Sequence, residues 1–219
     1  GTGVGLDAIS DRLMYRLQYR DFGSYQTLVS NHTVDTGGDH AGIHWFELNR
    51  TSGAWSMNQQ GIYSPDTDHR WMGSIAMDFT GNMALGYSAS NATTVFPSSW
   101  YTGRLVGDPL GTLPQGEASI ITGTGSQTGA QRWGDYSSMN IDSTDDCTFW
   151  FTSEYSGQGL TRIAAFKFDS CGCLAFPDAP TAAASTRPDT PSLDRMLPTW
   201  TPTVFCEMNS RSPISRFVR

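Results

Sequence analysis

Two arginines stand in matching surroundings. Arg70 lies in His69-Arg-Trp-Met-Gly-Ser74, and Arg132 in Gln131-Arg-Trp-Gly-Asp-Tyr136. A planar guanidinium grips a carboxylate through two parallel N–H bonds, so arginines at equivalent positions form a candidate grip for an anionic ligand. His69, Trp71 and Trp133 flank them and complete a candidate ligand-binding set, because indole faces can cover the apolar side of a sugar ring. Asp135 and Tyr136 adjoin Arg132 and are the best-placed candidate catalytic pair. Glycoside hydrolysis needs two carboxylates, or a tyrosine nucleophile with an acidic partner. Glu154 and Tyr155 are a second choice. Each group also has a structural role to weigh against the chemical one. The arginines could stack on their tryptophans or pair with Asp135 or Asp68, the tryptophans could be core, and Asp135 could simply hold a turn.

Metal chemistry has thinner support. Asp142, Asp145 and Asp146 could offer oxygen ligands to calcium, or could form an Asp-rich hairpin turn. Asp39, His40 and His44 could ligate a metal if their loop folds back, but their spacing matches no established motif. No other metal or cofactor is expected. Cys147 and Cys171 are a candidate disulfide, each near the end of a strand-like run, and such a bond would place the chain in an oxidising compartment. The alternative for Cys147 is a small buried side chain. Cys171-Gly-Cys173 is too tight for a zinc knuckle. There is no phosphate-binding loop and no His-Glu-x-x-His, and Gly86-Tyr-Ser-Ala-Ser90 lacks the second glycine of a nucleophile elbow.

The elements that must position these residues repeat along the chain. The runs at Arg70 and Arg132 each pass through a turn into a second apolar run, at 83–88 and 147–152. A degenerate upstream copy runs through 13–20, turns at Asp21-Phe-Gly23 and continues at 26–31. Further β-rich runs follow at 43–48, 54–57, 100–105, 118–121 and 161–168, bounded by Gly, Pro, Asn, Asp and Ser. Four strands per unit predicts an all-β chain of about three four-stranded antiparallel β-propeller blades, at 11–65, 66–127 and 128–171. The third unit lacks an obvious fourth strand. A β-sandwich competes, but it does not explain the recurrent Arg-Trp. Residues 1–173 form the propeller region. Residues 174–219 hold most of the chain's 11 prolines and much Ser and Thr, and read as an irregular tail.

Bulk composition narrows the partners. Of 219 residues, 38% are hydrophobic and 12% aromatic, enough for a real core, while only 16% are charged. Net charge is −7 and Lys167 is the sole lysine, which argues against nucleic acid. No apolar run reaches membrane-spanning length, so no membrane span is expected. No leader is visible, and one could have been removed before Gly1. Three blades cannot close a ring, whereas two copies would supply six; a homo-oligomer, specifically a dimer closing a six-bladed ring, is expected.

Several segments carry a resemblance. Asp11-Arg-Leu-Met-Tyr-Arg16, Asn31-His-Thr-Val-Asp35, His69–Ser74, and above all Arg132-Trp-Gly-Asp-Tyr-Ser-Ser138 followed by Asp145-Asp-Cys-Thr-Phe-Trp150 resemble the C-terminal blades of large secreted bacterial proteins with a sialidase-like, BNR-like β-propeller. The likeness spans about 11–171, without a clear Ser-x-Asp-x-Gly-x-Thr-Trp box. It implies a propeller fold and a bacterial secreted or cell-surface location. It also implies a module that binds a glycan or protein ligand at a channel mouth. The alternative it implies is a hydrolase of glycosidic bonds, in which an arginine cluster holds a sugar acid.

Overall fold

A computed structural model describes residues 5–156 and 159–171, and the backbone of 214–217. Its described elements are twelve strands in three antiparallel sheets of four, each a simple meander. Sheet 1 holds β1 (Gln18–Asp21), β2 (Gln26–Asp35), β3 (Ala41–Arg50) and β4 (Ser56–Tyr63). Sheet 2 holds β5 (His69–Met77), β6 (Met83–Ser90), β7 (Ser98–Arg104) and β8 (Ala118–Ile121). Sheet 3 holds β9 (Ser138–Ile141), β10 (Phe149–Tyr155), β11 (Leu160–Phe168) and β12 (Ile214–Phe217).

The sheets stack in sequence order around two cores. Val29, Ile43 and Trp45 of sheet 1 meet Ile75, Met77, Met83, Leu85 and Tyr87 of sheet 2. On the opposite side of sheet 2 the side chains of β5 and β6 are small. Ala76, Ala84 and Gly86 receive Phe149 and Phe151 of sheet 3, and Phe166 stacks on Tyr101 at 3.9 Å. β5 and β6 are buried on both faces, which is why they read as nearly continuous apolar runs while β2 and β3 alternate.

The first strands of the three sheets are tied to one another. Ser74 Oγ of β5 donates to Tyr15 O and accepts from Met139 N of β9. Arg20 of β1 reaches both Met77 O and the Asp146 carboxylate in the β9–β10 turn. A bulge in β5 between Trp71 and Ser74 brings Gly73 against β2, where an added Cβ would lie 2.4 Å from Asn31 Oδ1. The turn after each first strand opens the same way. Asp21, Asp78 and Asp142 each accept the N–H two residues on, from Gly23, Thr80 and Thr144, at 2.8–2.9 Å.

Three boundary expectations need correction. The first strand is shorter than 13–20, because only β1 pairs in register with β2; upstream, the chain is held by Met14 N donating to Asn31 O at 2.9 Å. β9 is shorter than the 131–142 run, because Gly134 adopts φ +67° and Asp135 N bonds Trp133 O, turning the chain before Ser138. The third sheet does have a fourth strand. It comes from 214–217, inside the segment expected to be irregular, and its backbone pairs with 165–168 of β11. The rest of that tail, with Cys173, lies outside the described residues.

Cys147 and Cys171 are joined as a disulfide, with Cα atoms 5.7 Å apart across 24 residues of sequence. The bond ties the β9–β10 turn to the end of β11. Among the described residues no helix is long and apolar enough to cross a membrane.

Candidate functional site

Arg70 is wholly buried, and all five of its N–H donors are engaged inside the chain. Nε and Nη2 bond Glu117, Nη1 and Nη2 bond Asp66, and Nη1 also bonds Asp68 O, at 2.7–3.0 Å. Burial opposes the charge, but the Glu117 and Asp66 carboxylates outweigh it and hold the guanidinium protonated, above its ordinary pKa. Tyr87 donates its hydroxyl to the same Glu117, and burial pushes the phenol's pKa up. Arg70 therefore clamps β5 to the loop before β8, and no donor remains for a ligand. Arg132 lies apart from it, exposed, and pairs with Asp135.

The two tryptophans that follow these arginines pack on each other, ring centres 6.0 Å apart, beneath Ile9 and Met14 of the N-terminal segment. Trp71 is 3% and Trp133 1% exposed, so neither presents a free indole face. Trp133 donates Nε1–H to Ser88 Oγ at 3.0 Å. Asp135 Oδ1 is buried and finds no hydrogen-bond partner among the described residues, and Tyr136 is exposed and interacts with Arg12. Glu154 accepts from Gly134 N at 2.8 Å.

The acidic turn is also engaged internally. Asp142 accepts from Thr144 N and Trp150 Nε1, and Asp145 from Cys147 N, Thr148 N and the Thr148 hydroxyl. Asp146 pairs with Arg20. The three carboxylates thus serve the turn and one ion pair; among the described residues no group of three or more His, Cys, Asp or Glu is gathered as a metal site. His40 and His44 are likewise separated. His40 packs against His69 with ring centres 5.1 Å apart, whereas His44 faces His32.

What the fold does assemble is a cleft of about 530 Å³. It opens where β5 begins and β2 and β6 end. The end of β2 contributes Asp35 and the β2–β3 turn Asp39 and His40; β5 contributes His69 and Trp71; the β6–β7 loop contributes Asn91, Thr93, Val95 and Phe96; Leu6, Ser10 and Gln127 close the remaining side. Asn91 shapes its own loop by accepting the N–H groups of Thr93, Thr94 and Val95. Asp35 does the same for Gly37 and His40. His40 is held by Thr36 Oγ1 and Asp68 O, which fixes its ring at the cleft wall. Two buried polar atoms belong to residues that line the cleft, Thr33 Oγ1 and Trp71 Nε1, and neither finds a hydrogen-bond partner among the described residues. Phe96, 44% exposed on the cleft wall, supplies an aromatic face.

No family model, curated protein or solved structure matches this chain.

Of the sequence-predicted ligand residues, the cleft therefore contains His69 and Trp71, and excludes Arg70, Arg132 and Trp133. Asp135 and Tyr136 do not line it either. Sequence reasoning missed Phe96, Asp35 and the N-terminal segment. The available signal was Phe96-Pro97 in a polar loop between two strand-like runs, an unusual place for a large apolar residue unless it is covered by something else.

Proposed function

We propose that this chain is three consecutive blades of a secreted β-propeller protein, and that its cleft binds a neutral, hydroxyl-rich glycan. The carrying observation is the cleft itself, in which an exposed aromatic face, Phe96, stands among His40, His69, Asp39 and Gln127. A sugar ring offers an apolar C–H face for the phenyl ring and hydroxyls that can both donate and accept. The charge pattern selects against a sugar acid, since among the described residues the cleft is lined by two aspartates and by no arginine or lysine. Three meander sheets packed in sequence, with first strands converging, support the propeller reading; the Cys147–Cys171 bond supports an oxidising location outside the cytoplasm.

The alternative, hydrolysis of an anionic sugar, has less support. Arg70 has no free donor, Arg132 pairs with Asp135, and both stand outside the cleft. Isothermal titration against a panel of uncharged oligosaccharides tests the binding reading. At least one should bind, Phe96→Ala should weaken it about tenfold, and Asp135→Asn should leave it unchanged. Binding restricted to sialylated glycans, or insensitive to Phe96→Ala, would refute it. Turnover abolished by Asp135→Asn would favour the hydrolase.

The oligomer belongs to the same proposal. Sheet 1 turns Leu28, Phe46, Leu48, Met57 and Ile62 away from sheet 2, with Met57 and Ile62 exposed, and a second copy's sheet 3 would cover them. Light scattering should then give twice the chain mass of 23.9 kDa. A monomer in which these residues stay exposed would remove the dimer while leaving the cleft untouched.

A further inference from the structure

Two histidines meet on the face of sheet 1 opposite its core. His32 of β2 and His44 of β3 are directly paired in the strand register, with Nε2 of His32 2.9 Å from Nδ1 of His44. The other nitrogen of His44, Nε2, lies 3.0 Å from Oε1 of Gln60 on β4. An amide oxygen only accepts, so His44 carries its proton on Nε2 and turns the Nδ1 lone pair toward His32. Holding one ring nitrogen with a hydrogen bond while the other is presented is how proteins orient a metal-binding imidazole.

The surroundings of these rings carry no charge. Both are half-buried, and the same-face neighbours Ser30, Phe46, Gln60 and Ile62 are uncharged. The spacing is also informative. Two nitrogens bound at right angles about one ion, each about 2.1 Å from it, stand about 3 Å apart, whereas a tetrahedral angle would part them to about 3.4 Å.

We propose that His32 Nε2 and His44 Nδ1 form a two-nitrogen site for a divalent ion of tetragonal or octahedral preference, the Ni²⁺ and Cu²⁺ class, with Gln60 as the positioning residue for His44. Binding replaces the hydrogen bond between the rings. His32 moves its proton from Nε2 to Nδ1, its Nε2 lone pair goes to the ion, and no net proton is released. On the open face of sheet 1 water completes the coordination, so the ion and a second copy's sheet 3 compete for that face. The site joins the two central strands of sheet 1 and is independent of the cleft, where the chain's other two histidines, His40 and His69, lie.

Titration of the whole chain with NiCl₂ at neutral pH tests this. One ion should bind per chain, and Ni²⁺ should raise the melting temperature. His32→Gln and His44→Gln should each lower affinity by about a hundredfold, and Gln60→Leu by about tenfold. A packed-ring variant could fail to fold, so wild-type protein provides a second readout. Paramagnetic Ni²⁺ should broaden the imidazole signals of His32 and His44 before those of His40 and His69. Unchanged Ni²⁺ affinity in a folded His32→Gln or His44→Gln chain, earlier broadening of His40 and His69, or no binding at millimolar Ni²⁺ would each overturn the proposal.

Discussion

Arg70 shows how a residue type that suits a ligand can be wholly committed to the fold. Its guanidinium bridges Glu117 and Asp66, and removing it strands the Glu117 carboxylate beside the buried Tyr87 hydroxyl. Arg70→Leu should therefore destabilise the chain by about 3 kcal/mol in urea unfolding. Arg70→Lys should recover only part of this, because an ammonium has three donors and no planar fork. The same contact makes stability depend on acid. The hydrogen bond from Arg70 holds Asp66 below the ordinary carboxylate pKa of 3.8. As pH falls from 3.8 toward the folded-state value, the unfolded chain takes up the proton while the native one resists it, so stability is lost. Melting temperature should drop below pH 4 in the wild type, and the Asp66 part of that slope should disappear in Arg70→Leu. The sequence shows the recurrence of Arg-Trp but not that the partners are Asp66 and Glu117, because Glu117 sits 47 residues from Arg70 and only the β7–β8 connection brings it back.

The strands explain why some of this fold is readable and some is not. β5 and β6 are legible because burial on both faces leaves a nearly continuous apolar run. The turns at Asp21, Asp78 and Asp142 are legible because each carboxylate closes its own local ring of bonds. β12 is not, because nothing local marks four residues as the partner of a strand so far upstream. The cleft is equally hidden, being built from a turn, a loop and an N-terminal segment that meet only in three dimensions. Packing between sheets 2 and 3 gives a sharp test. A Cβ on Gly86 would stand 2.6 Å from the Phe151 ring, which is itself fully buried. Gly86→Ala should cost about 1–3 kcal/mol by urea midpoint. Adding Phe151→Leu should recover part of that loss, and strict additivity of the two changes would show that the sheets are not in contact there.

At the scale of the molecule, three meanders in sequence order keep most strand neighbours adjacent along the chain, and the disulfide reinforces the last of them. Reduction should lower the melting temperature by an amount corresponding to about 3 kcal/mol, and a Cys147→Ser, Cys171→Ser chain should match the reduced protein. The exception is the outer strand of sheet 3, joined to β11 only through residues 169–213. Closing so long a connection carries an entropic penalty that no tight hairpin incurs. β11 thus has two unequal sides, one held by its hairpin partner β10 and the other by a strand delivered from afar. In deuterated solvent this asymmetry becomes a rhythm in time. At residues 165 and 166, which pair on both sides, the amide pointing to β12 should exchange early and the one pointing to β10 late. Along the matching stretch of β7, whose outer neighbour β8 arrives by a short connection, the alternation should be far weaker.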